Sequence, residues 1–207
     1  MMLALLLVAA QVGAPASALI QDPRLDRLDP DTRVQVSTVL DSARRVGLPT
    51  EPLIQRALEG ATKAAPGSRI VAAVRRLSAD LRVARIALGG EASAPELEAG
   101  VAALRAGARP QVLANLRSAR RGLLTVALSV LADLVASGVP ADSAAVAVLA
   151  LAPQARDADL VEFRRAVERD IALGAPPGAA TSVRVNAGAN VQSAGSNPGA
   201  QPRPRRP

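Results

Sequence analysis

The sequence predicts an all-α protein, on three observations. Apolar residues recur at helical spacing along most of the chain. Gly and Pro punctuate those stretches where helices would stop and start. The hydrophobic fraction of 49 % is Leu, Val, Ile and Ala almost throughout, with Phe163 the one aromatic residue. Small aliphatic side chains let helices approach closely and Ala is the best helix former, whereas sheets favour β-branched and aromatic residues. About eight short-to-medium helices are expected, in a single bundle or a helical-hairpin, solenoid-like array, with a disordered C-terminal tail.

The chain is expected to open with an export signal. Residues 1–18 carry no charged side chain, Leu3 to Ala10 form a short apolar run, and Ala16-Ser17-Ala18 has the small-x-small pattern that signal peptidase reads. The Lys or Arg that usually precedes such a run is missing. The run falls well short of the roughly 20 apolar residues a bilayer span needs. The mature protein is therefore expected to begin at Leu19, to have no transmembrane span, and to be periplasmic or secreted.

Residues 19–28 are expected to form an extended lead broken by Pro23, and residues 29–174 an all-helical domain. Asp29 is an N-cap followed by Pro30 at the first helical position, and Val36, Val39, Leu40 and Ala43 follow at helical spacing up to Gly47. Thr50 caps a second helix with Leu53, Ile54, Ala57, Leu58 and Ala61 inward, ended by Pro66-Gly67. The third is the most regular: Ile70, Val74, Leu77, Leu81, Ala84 and Leu88 alternate steps of four and three. Ser93 and Glu96 form a capping box for a fourth helix burying Leu97, Val101 and Leu104, and Pro110 opens a short fifth one. Leu123 to Ser137 is apolar on nearly every side and marks a central, buried helix. A small-residue helix with Val146 and Leu149 follows, and Asp157 caps a last helix with Leu160, Phe163, Val167 and Ile171 inward.

Gly47-Leu48-Pro49 and Gly138-Val139-Pro140 rhyme, with a weaker echo at Gly107-Ala108-Arg109-Pro110. They fit either a helical-hairpin repeat with a concave binding surface or the Gly and Pro connectors of any bundle. The tail, residues 175–207, has no acidic residue and little apolar content, so it is expected to be disordered and removable without loss of fold.

The chain has no cysteine and no histidine. That removes disulfides, thiolate nucleophiles, zinc sites of the usual kind and the commonest general base. No catalytic residue, metal or cofactor is expected. Paired carboxylates remain, but Asp157 and Asp159 lie in the first turn of a helix, where negative charge complements the dipole. Thr125, Ser129 and Asp133 form a polar stripe at i, i+4 and i+8 on the apolar helix, fitting a narrow solvent-facing strip better than a small polar pocket.

Arginine supplies nearly all the positive charge, Lys63 being the single lysine. Arg69, Arg75, Arg76, Arg82 and Arg85 are expected on the outer face of the third helix, with a second cluster at Arg117, Arg120 and Arg121. The net charge of +7 leaves only +3 for the body once the tail's Arg184, Arg203, Arg205 and Arg206 are set aside. These four are the candidate contacts to an anionic surface, of the weak, reversible kind a few basic residues give. Modest body charge and no stacking aromatics argue against a nucleic-acid partner. The reading is an exported, non-enzymatic helical protein of the bacterial cell envelope that contacts other proteins or has a structural role. Two alternatives are an arginine-mediated binder of anionic polymers or lipid head groups and, last, a carboxylate-only enzyme.

Overall fold

The computed structural model describes the backbone of residues 22–195 and the side chains of residues 22–187. The expected signal peptide, with Arg203, Arg205 and Arg206, lies outside the described residues. Within them the chain forms a 3-10 turn, Pro23–Arg27, and the helices α1 (Pro30–Arg45), α2 (Glu51–Thr62), α3 (Gly67–Leu88), α4 (Ala94–Ala106), α5 (Pro110–Ala119), α6 (Thr125–Ala136), α7 (Ala141–Leu151), α8 (Asp157–Ala172) and α9 (Pro177–Gly195). There is no strand among the described residues.

The helices pack in two files. In one, α1, α3, α5, α7 and α9 each lie against the next; in the other, α4, α6 and α8 do the same. Contacts of α2 with α3, α3 with α4, α6 with α7 and α8 with α9 stitch the files together. The second file is interrupted at its start, because α2 packs on α3 but does not close on α4. Helices α4 and α6 share the most extensive interface, and Leu128, Leu131 and Leu134 of α6 are fully buried, as expected of the apolar helix. The six seam positions of α3, from Ile70 to Leu88, are all buried.

One turn is used five times. Ala43 accepts from the Leu48 N–H, Gly60 from Ala65, Ala103 from Ala108, Leu134 from Val139 and Asp170 from Ala175, each at 3.0 Å. In every case the preceding residue donates to the carbonyl three back, which completes a Schellman motif. That preceding residue has positive φ: Gly47, Ala64, Gly107, Gly138 and Gly174. The residue after it turns inward, with Leu48, Ala108 and Val139 buried and Ala65 and Ala175 packed against the core. A proline at position 49, 66, 110, 140 or 176 then starts the chain toward its next helix. The two sequence rhymes and their echo are thus three members of a set of five. Ala64 is the odd one, at φ +49 without being glycine.

Several expectations change. The lead is not extended where it is described: residues 23–27 form the 3-10 turn, capped by the Asp22 side chain, which accepts from the Arg24 N–H at 3.0 Å. Thr50 precedes α2 but makes no capping hydrogen bond with its side chain. Asp157 is the first residue of α8 and not its cap; Asp159 takes the capping role, accepting from the Arg156 N–H at 2.9 Å. Val146 faces outward, 68 % exposed, and α7 buries Ala144, Ala145, Ala147 and Val148 in its place. Small side chains on that face bring α7 close to α6 and α9.

The largest correction is the tail boundary. Residues 177–195 form α9, which packs on α7 and α8 and buries Ala180 and Thr181. The Thr181 hydroxyl donates to the Pro177 carbonyl at 2.8 Å, so its polarity is met locally. A composition that cannot build a core of its own is held by an existing one.

Two outcomes test this account. A chain ending at Gly174 should unfold several degrees below one ending at Gly195, because the first uncovers the faces of α7 and α8 that α9 buries; equal melting temperatures would show that α9 does not dock. Replacing Ala64 with Gly should raise stability by up to about 1 kcal/mol, while Gly138→Ala should lower it by a similar amount, since only glycine takes the left-handed conformation without steric cost. Denaturant titrations of the two variants give both signs.

Candidate functional site

The arginines of this protein sort into three roles. The first is stapling turns. Arg85, near the C-terminus of α3, donates through Nη2 to the Gly47 carbonyl at 2.9 Å and through Nη1 to those of Gly90 and, at 3.2 Å, Ala92. Arg117 donates to the Gly122 carbonyl at 3.1 Å. Arg120 donates to the carbonyls of Ala152 at 2.9 Å and Ala155 at 2.6 Å, and pairs with Asp157 at 2.5 Å. A planar guanidinium presents several donors in a fixed fork, which suits it to gathering carbonyls where backbone donors have run out. Arg85 was expected on the outer face of α3; it turns inward at the helix end, as do Arg117 and Arg120 of the expected second cluster.

The second role is pairing between helices. Arg164 of α8 reaches Asp133 of α6 at 3.1 Å, Arg109 reaches Asp142 at 2.9 Å, and Arg105 reaches Asp80 at 2.9 Å. Arg184, expected as a free contact to an anionic surface, is claimed by Asp170 of α8, with Nε to Oδ2 and Nη2 to Oδ1 both at 2.7 Å. That guanidinium holds the Asp170 carboxyl below its ordinary range. The polar stripe of Thr125, Ser129 and Asp133 is half-buried along α6, and its Asp133 is spent on the pair with Arg164. Asp157 and Asp159 are likewise engaged, by Arg120 and Arg156.

The most organised polar group is one that sequence reasoning saw only as a cap. Glu96 is 2 % exposed. Its Oε2 accepts from the Ser93 N–H and hydroxyl, both at 2.9 Å, completing the capping box. Its Oε1 accepts from Arg117 Nη2 at 2.5 Å and from the Leu124 N–H at 2.9 Å. Burial on its own would raise the carboxyl pKa, but the hydrogen bonds from Ser93, Leu124 and Arg117 outweigh it and bring the pKa down to about 2. The group is saturated with donors and closed to ligands, so its part is structural.

The third role falls to Arg69 and Arg76, which meet no carboxylate among the described residues and flank a groove that crosses three helices. Because α2 stands off from α4, a valley opens between them with α3 as its floor. One half, ≈ 620 Å³, has Leu77 and Leu81 below, Pro52 and Gln55 on the α2 wall, and Val101 and Ala102 on the α4 wall. The other half, ≈ 610 Å³, runs over Ala72 and Ala73 and is flanked by Arg69, Arg76 and Asp80. Arg56 and Arg105 border both halves, so the two adjoin at these side chains. Arg56 pairs with Glu59 and Arg105 with Asp80, each at 2.9 Å. Arg69 and Arg76 have no ion pair among the described residues. Their seven-residue spacing puts both on one side of α3, a signal readable in the sequence; the gap that exposes that side is tertiary and was not.

Smaller hollows lie between α1 and α3, ≈ 510 Å³ over Val39 and Ala79, and between α7 and α9, ≈ 460 Å³ over Ala147 and Thr181. Among the described residues no three His, Cys, Asp or Glu side chains gather as they would around a metal ion, and no described helix is long and apolar enough to cross a membrane. Compared with models of known families, with characterised proteins and with solved structures, the chain matches none.

The Glu96 hub makes a pH prediction. Its folded pKa lies below the ordinary value near 4.5, so its stabilisation is complete above about pH 4.5 and fades as pH falls toward 2. Replacing it with Gln should cost about 3–5 kcal/mol at pH 6, since Arg117 is then left without its charge partner. The gap between wild type and Glu96→Gln in thermal unfolding should narrow steadily from pH 4.5 to pH 2; a gap independent of pH would remove the ionised carboxylate from this account.

Proposed function

We propose that the chain is a non-enzymatic interaction module that acts outside the cytoplasm and holds a segment of a protein partner in the valley over α3. The observation that carries the reading is the valley itself: an open groove between α2 and α4, floored by α3, with Pro52, Gln55 and Ala102 reachable on its walls and charged residues along both. Grooves between helices receive peptide segments, and charged walls fix their register. Export rests on residues 1–18, whose apolar run and Ala-Ser-Ala site fit a cleaved signal. Carboxylate chemistry has less support, because the acid pairs named above are each bound to arginine. Attachment to anionic surfaces through the tail loses Arg184, which Asp170 occupies.

A photo-crosslinking amino acid placed at Ala102, exposed on the α4 wall, or at Arg165, exposed on α8, tests the assignment in cells that make the full chain. Adducts with a discrete protein should form from position 102 and not from position 165. The same adducts at both positions, or none at 102, would sink the reading.

A further inference from the structure

The other flank of α3, where it meets α1, carries a second and separate site. The geometry points to a phosphate-binding groove there, one that takes the phosphate group of a lipid head group or of a soluble phosphate ester. The groove is open and holds ≈ 510 Å³. On α3 it is lined by Arg75, Ser78, Ala79 and Arg82, whose i, i+3, i+4 and i+7 spacing puts them on one side of the helix. Gln35 and Ser42 face them from α1, and Arg82 Nη2 donates to Ser42 Oγ across the groove at 3.1 Å. No Asp or Glu lines it. Every acidic residue of the chain lies between Asp22 and Asp170, within the described residues, and none pairs with Arg75 or Arg82. The acids of the two helices are placed elsewhere: Asp41 is paired with Arg44, Asp80 with Arg105, and Asp31 sits in the first turn of α1, before the lining begins. Two uncompensated guanidinium groups, rooted two turns or roughly 10 Å apart, therefore share an acid-free groove.

The hydroxyls add donors to that charge. Ser78 is 6 % exposed and still reaches the groove. Other hydroxyls in these helices donate to the carbonyl four residues back, as Thr38 does to Val34, Ser118 to Ala114 and Ser137 to Asp133. Ser78 makes no such bond among the described residues, and an unpaired hydroxyl at that depth is costly until something in the groove meets it. Ser42 accepts from Arg82 and keeps its own proton to give. A carboxylate needs less than this: one guanidinium satisfies both oxygens of Asp170. Donors arriving from two helices and from both sides of Ala79 match a tetrahedral group, whose oxygens point several ways. Ala79, being small, leaves room for that group between the two arginines. Past the Arg82 end, Val46 and Ile86 stand one turn beyond Ser42 and Arg82, 53 % and 84 % exposed. The bond from Arg85 to the Gly47 carbonyl brings these two helix ends together. An exposed apolar pair beside a phosphate site has the make-up of a surface that meets lipid.

Sodium phosphate titrated into the nitrogen-15-labelled full chain at fixed ionic strength should shift amide signals in residues 35–42 and 75–82, and the shifts should saturate. Affinity should fall roughly tenfold or more in R75Q/R82Q, fall several-fold in S78A, and stay unchanged in R69Q/R76Q, which alters the valley instead. Acetate at the same ionic strength should bind more weakly than phosphate. Circular dichroism checks the fold of each variant, and S78A, which removes a single oxygen, still decides the matter if the double variant unfolds. Vesicles of phosphatidylcholine with phosphatidylglycerol give the source. Retention that is lost in R75Q/R82Q and weakened in V46S/I86S assigns a lipid head group; saturable phosphate binding with vesicles left unbound, or bound equally by R75Q/R82Q, assigns a soluble ester. Shifts that follow ionic strength alone, an equal response to acetate, an equal loss in R69Q/R76Q, or no binding to either probe overturn the site. None of these results bears on the crosslink at Ala102, so the valley stands or falls separately.

Discussion

A single buried carboxylate fixes how the two files of helices meet. Glu96 closes the N-terminus of α4, and the same group reaches across to the Leu124 N–H at the entrance of α6 and to Arg117 near the end of α5. Arg117 in turn holds the Gly122 carbonyl, so the segment between α5 and α6 is fastened at both its donor and its acceptor. The α4–α6 interface is the largest in the protein, and its register follows from where that segment is pinned. A buried ion pair is seldom a gain over apolar packing, but losing one partner is costly. Such a group therefore specifies one arrangement more than it adds net stability.

Around that hub the structure makes little use of bulk. Leu, Val and Ala fill the core, and Phe163 is only half-buried at its edge. With few large side chains to lock neighbouring helices, position is set by the ends of helices. Five Schellman turns end helices the same way, and arginine staples hold three of the remaining connections. The valley is what this construction leaves where one interface is slight: α2 and α4 each rest on α3 and share no comparable interface with each other.

What was readable in the sequence was whatever is set within a helix. The α3 seam, the Asp29 cap with Pro30 after it, and the Ser93–Glu96 box all stand as the spacing implies, because period and capping are local. What failed to read was set between helices. Glu96 is buried by a loop 28 residues further along, and no local pattern announces that. The segment of α9 lacks a core-forming stripe and reads as disordered until Ala180, Thr181 and the Arg184–Asp170 pair supply the contacts. Arg76 and Arg85 looked alike on a helical projection, yet one borders an open valley and the other is consumed by three carbonyls. The spacing of the turns is uneven, so a device repeated five times left only a faint echo as sequence similarity.

Building the staples from guanidinium groups has a consequence for how the molecule presents its charge. Arginine keeps its proton well beyond pH 12, carboxylates of the usual kind shed theirs below about pH 5, and the chain has no His, Cys or Tyr and a single lysine to titrate between. Across the range in which cells and their surroundings vary, the side chains hold one constant set of charges, so the potential they set up over the valley is the same at pH 6 as at pH 8. Only the α-amino group of the chain changes charge over that interval, so on the proposed reading a pH effect on complex formation there comes from that one group or from the partner.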